Sequence, residues 1–215
     1  MRRFRSDARR GVAGYAAAPL DLHPPRFDLP IDLDGHLRRL PPGATCRGLF
    51  FAAPLGQLRK IAPQHPLLKG LGAKRYTAFL EYPYADFLRV LVEVAPVVFP
   101  GVTPGEGLRR LGRGGYDALL GSQVGQVIFG VFGRDFERVV QMGARGYEVS
   151  LNFGSLRVEV VEPKRVRYHQ VRRPIFLETY QVGIIEGAMR ACGVQGEVLV
   201  HLDSIEQGTL EIRWD

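Results

Sequence analysis

Cysteine is scarce in this 215-residue sequence, and its scarcity excludes two structural classes. Cys46 and Cys192 are the only thiols, and neither has a CxxC partner. A disulfide framework and a four-thiolate zinc site are therefore excluded, although a single disulfide between the two thiols stays open. Two free thiols suit a reducing compartment, so we predict a cytoplasmic protein.

Long apolar runs are absent as well. The longest apolar stretch, residues 90–99, is interrupted by Glu93 and Pro96 and is far shorter than the roughly 20 residues of a membrane span. The N-terminus begins with charged residues, as a signal peptide does, but no hydrophobic segment follows them. We therefore expect neither a membrane span nor a cleaved signal.

Lysine is rare, and arginine supplies most of the positive charge. Of the 29 basic residues only 4 are lysine, and the 22 acidic residues leave a net charge of +7. An excess of guanidinium groups favours phosphate recognition, but a genome that favours arginine explains it equally well. The charge is unevenly distributed, since residues 1–30 are strongly basic and the rest of the chain is only mildly basic, which argues against a nucleic-acid-binding module with a concentrated basic patch.

The first 30 residues differ in composition from the rest. They carry six arginines and four prolines and show neither a helical nor a strand period. A chain of this length can bury roughly 70% of its unfolded surface, enough for a full core. We predict a flexible basic arm over residues 1–30 and a single α+β domain over residues 31–215.

Helical periodicity dominates the first part of this domain. Helices are predicted over residues 45–62, 84–99, 103–120, 122–132 and 135–142. Thr103-Pro104-Gly105-Glu106 is a capping box with proline at the first helical position, and Asp135 is a typical N-cap.

A two-residue period follows, which is typical of strands. Strands are predicted over residues 147–153, 156–161, 164–171, 197–202 and 209–214, with a helix over 175–192 that ends at Gly193. The order predicts an α+β fold in which N-terminal helices pack on a C-terminal antiparallel sheet, with one late helix before the final hairpin.

Catalytic and metal-binding motifs are missing. No Gly-x-Ser-x-Gly elbow occurs, and no two of the five histidines have a metal-ligand spacing. A short helix or turn is also predicted from Asp32, and it makes His36 the only histidine near a predicted helix, where a haem ligand would lie, although nothing else singles His36 out. The glycines of residues 112–115 interrupt a helical stretch, so a helix break or close helix packing is favoured over phosphate binding. We predict no enzyme activity, no metal and no cofactor.

One strand of the predicted sheet has a basic face. Strand alternation places Arg165, Arg167 and His169 on the same side, and Arg157 joins them from the neighbouring strand. These four residues are a candidate surface for an anion or an acidic partner. A solvated sheet face interleaved with glutamates explains the same pattern.

The late helix contains two glycines at a spacing of four, Gly183 and Gly187. In a chain without a membrane span, this spacing lets a helix lie close to a sheet or to another helix. The apolar residues of the same helix follow a 3.6-residue period. Core burial and a dimer interface both fit this pattern.

Five short segments, taken in order, carry a family resemblance. They are Arg47–Phe51, Tyr82-Pro83, Leu108–Arg113, Tyr180–Gly187 and Leu210–Trp214. The sequence resembles a paralogous family of unknown function that is expanded in myxobacteria. That family is similar, more distantly, to the superfamily of haem–nitric-oxide sensor domains, 4-vinyl reductase domains, the aromatic-effector domains of certain transcription activators, and TRAPP vesicle-tethering subunits.

Members of that superfamily bind haem, small aromatics or an acyl chain between helices and sheet, or they act as dimeric scaffolds. The haem sensors use a Tyr-x-Ser-x-Arg motif, from which residues 147–151 depart because Val149 and Leu151 stand at the positions of the serine and the arginine. The aromatic sensors use a cysteine-rich zinc site, which two cysteines cannot form. The resemblance therefore implies the fold without these functional residues.

Two functions follow from the residues and the resemblance. The first is a non-catalytic regulatory or sensor module, homodimeric, that holds a small apolar ligand between helices and sheet. The second is a protein–protein interaction scaffold of TRAPP-like type without a ligand, whose basic arm docks an acidic partner. Candidate pocket residues, chosen as apolar and inward-facing, are Phe87, Leu91, Phe129, Phe132, Tyr180 and Ile184.

Overall fold

The computed structural model describes residues 20–70, 75–120, 130 and 133–215, and helices form most of its first part. They are α1 (Leu33–Arg38), α2 (Leu49–Ile61), α3 (Tyr84–Val98), α4 (Pro104–Leu120) and α5 (Phe136–Ser150). A 3₁₀ turn over Pro66–Leu68 follows α2. Two short strands, β1 (Thr45–Arg47) and β2 (Glu81–Pro83), pair antiparallel. The predicted helix over residues 122–132 and arm residues 1–19 lie outside the described residues.

The second part of the chain is a sheet with one helix inserted. Its elements are β3 (Ser155–Glu162), β4 (Arg165–Val171), a π-helical turn (Leu177–Gln181), α6 (Val182–Cys192), β5 (Gly196–Ser204) and β6 (Gln207–Trp214). The four strands are antiparallel in the order β3-β4-β6-β5. The predicted α+β fold, with its late helix before the final hairpin, is confirmed. In the described part of the chain, no helix is both long and apolar enough to cross a membrane.

The predicted helix ends are confirmed in three places. The hydroxyl oxygen of Thr103 accepts from the backbone N–H of Glu106 at 3.3 Å, which satisfies a free donor at the start of α4. The carboxylate of Asp135 accepts from the N–H of Arg138 at 3.2 Å and caps α5. Gly193 ends α6 with φ +75°, a conformation that glycine adopts without strain.

The predicted strand over residues 147–153 is wrong, because α5 continues to Ser150. Buried residues recur along α5 at helical spacing; they are Phe136, Val139, Val140 and Ala144. Burial of this face against the sheet stabilises the last turns of the helix more than the alternation after Tyr147 favours a strand.

The predicted helix over residues 45–62 also begins later than expected, because residues 45–47 form β1. The partner of β1 is β2, more than 30 residues away in sequence, and the N–H of Gly48 donates to the carbonyl of Leu80 at 2.9 Å beside it. A strand that depends on so distant a partner leaves no local signal.

Buried side chains form two clusters that meet near the start of α6. The sheet core lies between the sheet and helices α5 and α6, and the helical core lies among α2, α3 and α4. The helical core also receives Ile175, Phe176 and Tyr180, whereas Val182 belongs to the sheet core. The segment that leads into α6 therefore joins the two cores.

Helices α4 and α6 pack closely because glycines stand where they cross. A Cβ atom on Gly183 would collide with the carbonyl of Arg109, and one on Gly112 would collide with the carbonyl of Tyr180. The core-packing interpretation of the two glycines in α6 is therefore confirmed. The carboxylate of Glu186 accepts from Arg109 at 2.6 Å and from Arg113 at 2.8 Å across the same contact.

The described part of the predicted arm, residues 20–30, lies along the domain. His23 exchanges two backbone hydrogen bonds with Val200 of β5, at 3.0 and 2.8 Å. The backbone N–H and Nε of Arg26 both donate to the carboxylate of Glu178, at 2.8 and 3.0 Å. Phe27 lies under the guanidinium of Arg109, 4.3 Å from its ring centre. These contacts connect the edge of the sheet to α4.

Candidate ligand site

The chain turns sharply after β4, and the turn buries an arginine. Arg172 has φ +52°, in the left-handed region that residues other than glycine rarely adopt. The side chain of the next residue, Arg173, is only 1% exposed. Its backbone N–H donates to the carbonyl of Glu206 at 2.9 Å, and its carbonyl accepts from the side-chain amide of Gln170 at 2.6 Å. The backbone is thus held on both sides.

A glycine makes room for the arginine stem. Gly154, in the loop before β3, has φ +66°. A Cβ atom at this position would collide with Cγ of Arg173 and with the carbonyl of Arg172. Any other residue at position 154 would therefore displace the buried side chain.

Tyrosines surround the guanidinium. The ring of Tyr147, in the last turn of α5, lies 4.6 Å from Cζ of Arg173, a cation–π distance. Burial raises the pKa values of Tyr84 and Tyr168, and the nearby charge of Arg173 only partly opposes the rise. These two phenols therefore stay neutral and supply no counter-charge.

No carboxylate or carbonyl oxygen in the described structure meets the guanidinium, and the hydroxyl of Tyr168 lies close to it without the geometry of a hydrogen bond. The Nε, Nη1 and Nη2 atoms of Arg173 are buried and lack partners, and so do the hydroxyl of Tyr168 and the side-chain amide of Gln181. Burial lowers the pKa of Arg173, but the surrounding tyrosine oxygens more than compensate and keep it above its ordinary value. A buried polar group without a partner costs about 1–3 kcal/mol, and more when it is charged.

A narrow cleft leads to this cluster from the surface. Its walls are apolar, Arg173 lies at its floor, and the exposed Glu148 lies at its rim without an ion pair to Arg173. Its wall residues are Tyr147, Leu151, Phe153 and Leu156. The volume is about 10 Å³, room for about one water molecule. We call Arg173, its tyrosine and glutamine neighbours and this cleft the Arg173 site.

A larger cleft lies at the other end of the sheet. It has a volume of about 350 Å³, is open to solvent, and is lined by residues 195–197 and 213–215. The one arginine in it, Arg213, already pairs with Glu197 at 3.0 Å and with Glu211 at 2.6 Å. This cleft therefore contains no unpaired cation.

The candidate pocket residues are only partly brought together. Phe87, Leu91 and Tyr180 are buried in the helical core, where the rings of Phe87 and Tyr180 are 6.0 Å apart, and Ile184 packs against the same core. Phe129 and Phe132 lie outside the described residues. Neither of the clefts described above is lined by these core residues.

The candidate anion surface lies on the outer face of the sheet, and acidic residues pair with it. Arg165 and Arg167 donate to the two carboxylate oxygens of Glu211, both at 2.9 Å. His169 lies opposite Arg157 on β3 and contacts Glu159 at 2.9 Å. Binding of an anion or an acidic partner at this surface stays a prediction.

Arg173 was not among the residues predicted from the sequence. Strand alternation extends from Arg165 through Arg167 and His169 to position 173, and it places position 173 on the solvent face. The left-handed backbone of Arg172 reverses that direction. The only local sign is a pair of arginines before the proline that ends the strand.

Comparison with known protein families finds one family that matches most of the chain. Residues 39–215 match the family described as "Protein of unknown function (DUF2378)". The chain belongs to the DUF2378 family. The predicted membership of a family of unknown function is thereby confirmed, whereas its expansion in myxobacteria stays a prediction. No curated protein matches the DUF2378 chain.

Solved structures of H-NOX proteins share the fold of the DUF2378 chain. An oxygen-binding H-NOX domain related to soluble guanylate cyclases, in its oxygen complex, is 14% identical with a TM-score of 0.61, over 79% of this chain and 95% of that domain. The H-NOX protein from S. oneidensis, in the Fe(II)NO state, is 11% identical with a TM-score of 0.58, over 79% and 99%. The unliganded Fe(II) H-NOX protein from K. algicida is 11% identical with a TM-score of 0.57, over 79% and 96%. The predicted resemblance to the haem–nitric-oxide sensor fold is confirmed.

The residues of the DUF2378 chain do not fit haem. All five histidines are described, and none lines the Arg173 site. His36 packs on Phe176 at 4.4 Å, and its Nδ1 contacts the carbonyl of Asp32 at 2.6 Å. Within residues 20–70, 75–120 and 133–215, no three His, Cys, Asp or Glu side chains are grouped to hold a metal ion. Rings of the helical core fill the interior beside the 10 Å³ cleft.

Proposed function

We propose that this chain is a non-catalytic sensor or regulatory module, acting as a homodimer, that holds a small ligand at the Arg173 site between helices and sheet. The H-NOX structures with the same fold include an oxygen complex and an Fe(II)NO state, so this architecture accommodates small molecules in other proteins. No described residue of the Arg173 site is a haem ligand, so the ligand we propose is not haem.

The observation that carries this proposal is the unpartnered guanidinium of Arg173. The side chain is 1% exposed, and all three of its nitrogens lack hydrogen-bond partners in the described structure. A left-handed residue before it and a glycine beside it are both needed to place it there. A strained backbone that buries an unpaired cation is typical of a binding site and adds nothing to a core.

Aromatic rings connect the Arg173 site to the predicted pocket. The ring centre of Phe50 is 5.3 Å from that of Tyr147 and 5.4 Å from that of Phe87. Phe87 in turn contacts Tyr180. A ligand that enters beside Tyr147 would displace Phe50 first and then reach the buried candidate residues.

Native mass spectrometry, with a denatured spectrum alongside, tests the proposal. We expect a dimer that carries an additional few hundred daltons, and we expect this mass to vanish on denaturation. The variant Arg173→Met should lose the additional mass and remain dimeric. A monomer at the bare sequence mass would contradict the proposal.

A specific observation favours the scaffold as a second candidate. Three large apolar side chains are exposed where β2 meets α2: Leu49 at 42%, Phe79 at 69% and Leu80 at 57%. The N–H of Leu49 donates to the carbonyl of Ala78, which brings the three together. Exposed apolar groups of this kind mark protein interfaces. A dimer at the bare sequence mass would favour this function.

A further inference from the structure

We infer that the ligand of the Arg173 site is a monocarboxylate with an apolar body, its carboxylate bound by the Arg173 guanidinium. The inference rests on the proposed function and adds the chemical class of the ligand. Its first ground is charge: one buried cation is present, the neighbouring phenols are neutral, and no described carboxylate pairs with it.

Hydrogen-bonding capacity is the second ground. The three unpartnered nitrogens of Arg173 are donors only, whereas the unpartnered hydroxyl of Tyr168 and side-chain amide of Gln181 can each donate and accept. A carboxylate accepts only, and its two oxygens match the planar fork of a guanidinium. Such a ligand would satisfy the buried donors together.

The number of charges separates a carboxylate from a phosphate. A phosphate group carries about −1.5 to −2 charges at pH 7. The Arg173 site offers one buried positive charge, and Glu148 adds a negative charge at the rim of the cleft. A monoanion would be neutralised at this site, whereas a phosphate would bring excess negative charge into an apolar surrounding.

The apolar body of the ligand follows from the walls of the cleft. Leu151, Phe153 and Leu156 line it together with the ring of Tyr147. Since the cleft holds only about 10 Å³, the Tyr147 ring must rotate away from the guanidinium when a ligand enters. Tyr147 lies in the last turn of α5 and is half-buried, so its ring can rotate if the ring of Phe50, 5.3 Å away, shifts with it.

Isothermal titration calorimetry on the full chain tests the inference, with sodium benzoate as probe and benzamide as its uncharged isostere. We expect benzoate to bind and benzamide to bind at least tenfold more weakly. Arg173→Met should weaken benzoate binding about 10- to 100-fold, the effect of losing a charged hydrogen bond. The matched control Arg145→Met removes an exposed arginine of α5 that does not line the cleft and should leave the affinity unchanged.

Glu148→Gln keeps the test decisive if Arg173→Met does not fold. Removal of the rim charge should raise the affinity for benzoate by about 2- to 5-fold, since a nearby exposed charge contributes less than about 1 kcal/mol. A marked loss of thermal stability in Glu148→Gln would instead identify Glu148 as the counter-ion of Arg173, and the inference would be wrong.

Other outcomes also overturn the inference. Equal binding of benzoate and benzamide, or unchanged benzoate binding in folded Arg173→Met, would remove the role of the guanidinium. Binding of sodium phosphate but not benzoate would assign a different anion. If neither benzoate nor octanoate binds while the native spectrum retains a ligand that Arg173→Met loses, the ligand class is wrong and the proposed function stands.

Discussion

The segment from Arg173 to the end of α6 makes two contacts with the rest of the chain that can be compared. The two contacts differ in how completely their polar groups are paired. Where α6 crosses α4, glycines let the backbones touch, and Glu186 pairs with both Arg109 and Arg113. At the Arg173 site, the guanidinium and the amide of Gln181 are buried without partners. The polar groups of the first contact are paired within the chain, whereas those of the second have no partner in the described structure.

A shortage of carboxylates does not explain this difference. On the outer sheet face the chain surrounds the fully buried Glu211 with Arg165, Arg167 and Arg213, at distances of 2.6 to 2.9 Å. The same sequence thus neutralises a buried anion with three cations yet leaves a buried cation with none. We therefore attribute the unpaired state of Arg173 to the ligand binding that we propose for this site.

The largest effect is expected where the paired contact between α4 and α6 is broken. Gly183→Ala places a Cβ against the carbonyl of Arg109, and neither backbone can move without separating α4 from α6. We expect the free energy of unfolding to fall by about 3 kcal/mol in urea denaturation. The control Gly56→Ala lies in α2 with no atom near its Cβ and should gain about 0.5–1 kcal/mol. Equal stabilities of the two variants would mean that the helices are not in close contact.

Removing the carboxylate of Glu211 should lower the free energy of unfolding less than Gly183→Ala does, because its three arginine partners remain partly exposed. Glu211→Gln leaves three arginines without their common acceptor, and we expect a loss of about 2 kcal/mol in free energy of unfolding. The control Glu162→Gln removes the exposed second partner of Arg165 and should cost less than about 0.5 kcal/mol. If the two variants are equally stable, the arginine cluster contributes nothing to the fold.

The contact between Glu211 and its arginine partners also predicts that the stability of the fold depends on pH. Burial raises the pKa of Glu211, but hydrogen bonds from Arg213, Arg167 and Arg165 lower it further, and the pKa lies below its ordinary value of 4.5. This stabilisation is present above pH 4.5 and is lost as the pH falls through the lowered pKa. The difference in melting temperature between the protein and Glu211→Gln should therefore shrink from pH 7 towards pH 3. A difference that stays constant would contradict the assignment.

The predictable parts of the fold are those with local causes. Thr103 and Asp135 cap helices through hydrogen bonds three residues away, and the sheet strands alternate where one face is buried, so the sequence alone locates them. The strand β1 and the inward turn of Arg173 depend on distant partners and on one residue with a left-handed backbone. Neither leaves a periodic pattern, and the candidate site was therefore missed while the fold class was predicted.

The smallest effect on stability is expected at the Arg173 site itself. Arg173→Met keeps a long apolar stem but removes an unpaired buried cation. The variant loses a cation–π contact with Tyr147, but it no longer incurs the desolvation cost of a buried charge. We expect the unfolding free energy of the ligand-free protein to stay within about 1 kcal/mol of the unsubstituted protein, or to rise. Arg172→Met, one residue away and exposed, gives the baseline for losing an arginine here. A loss of more than about 2 kcal/mol would mean that Arg173 stabilises the fold, and the contrast between the paired and the unpaired contact would disappear. A stable variant that no longer binds a ligand would separate ligand binding by Arg173 from stabilisation of the fold.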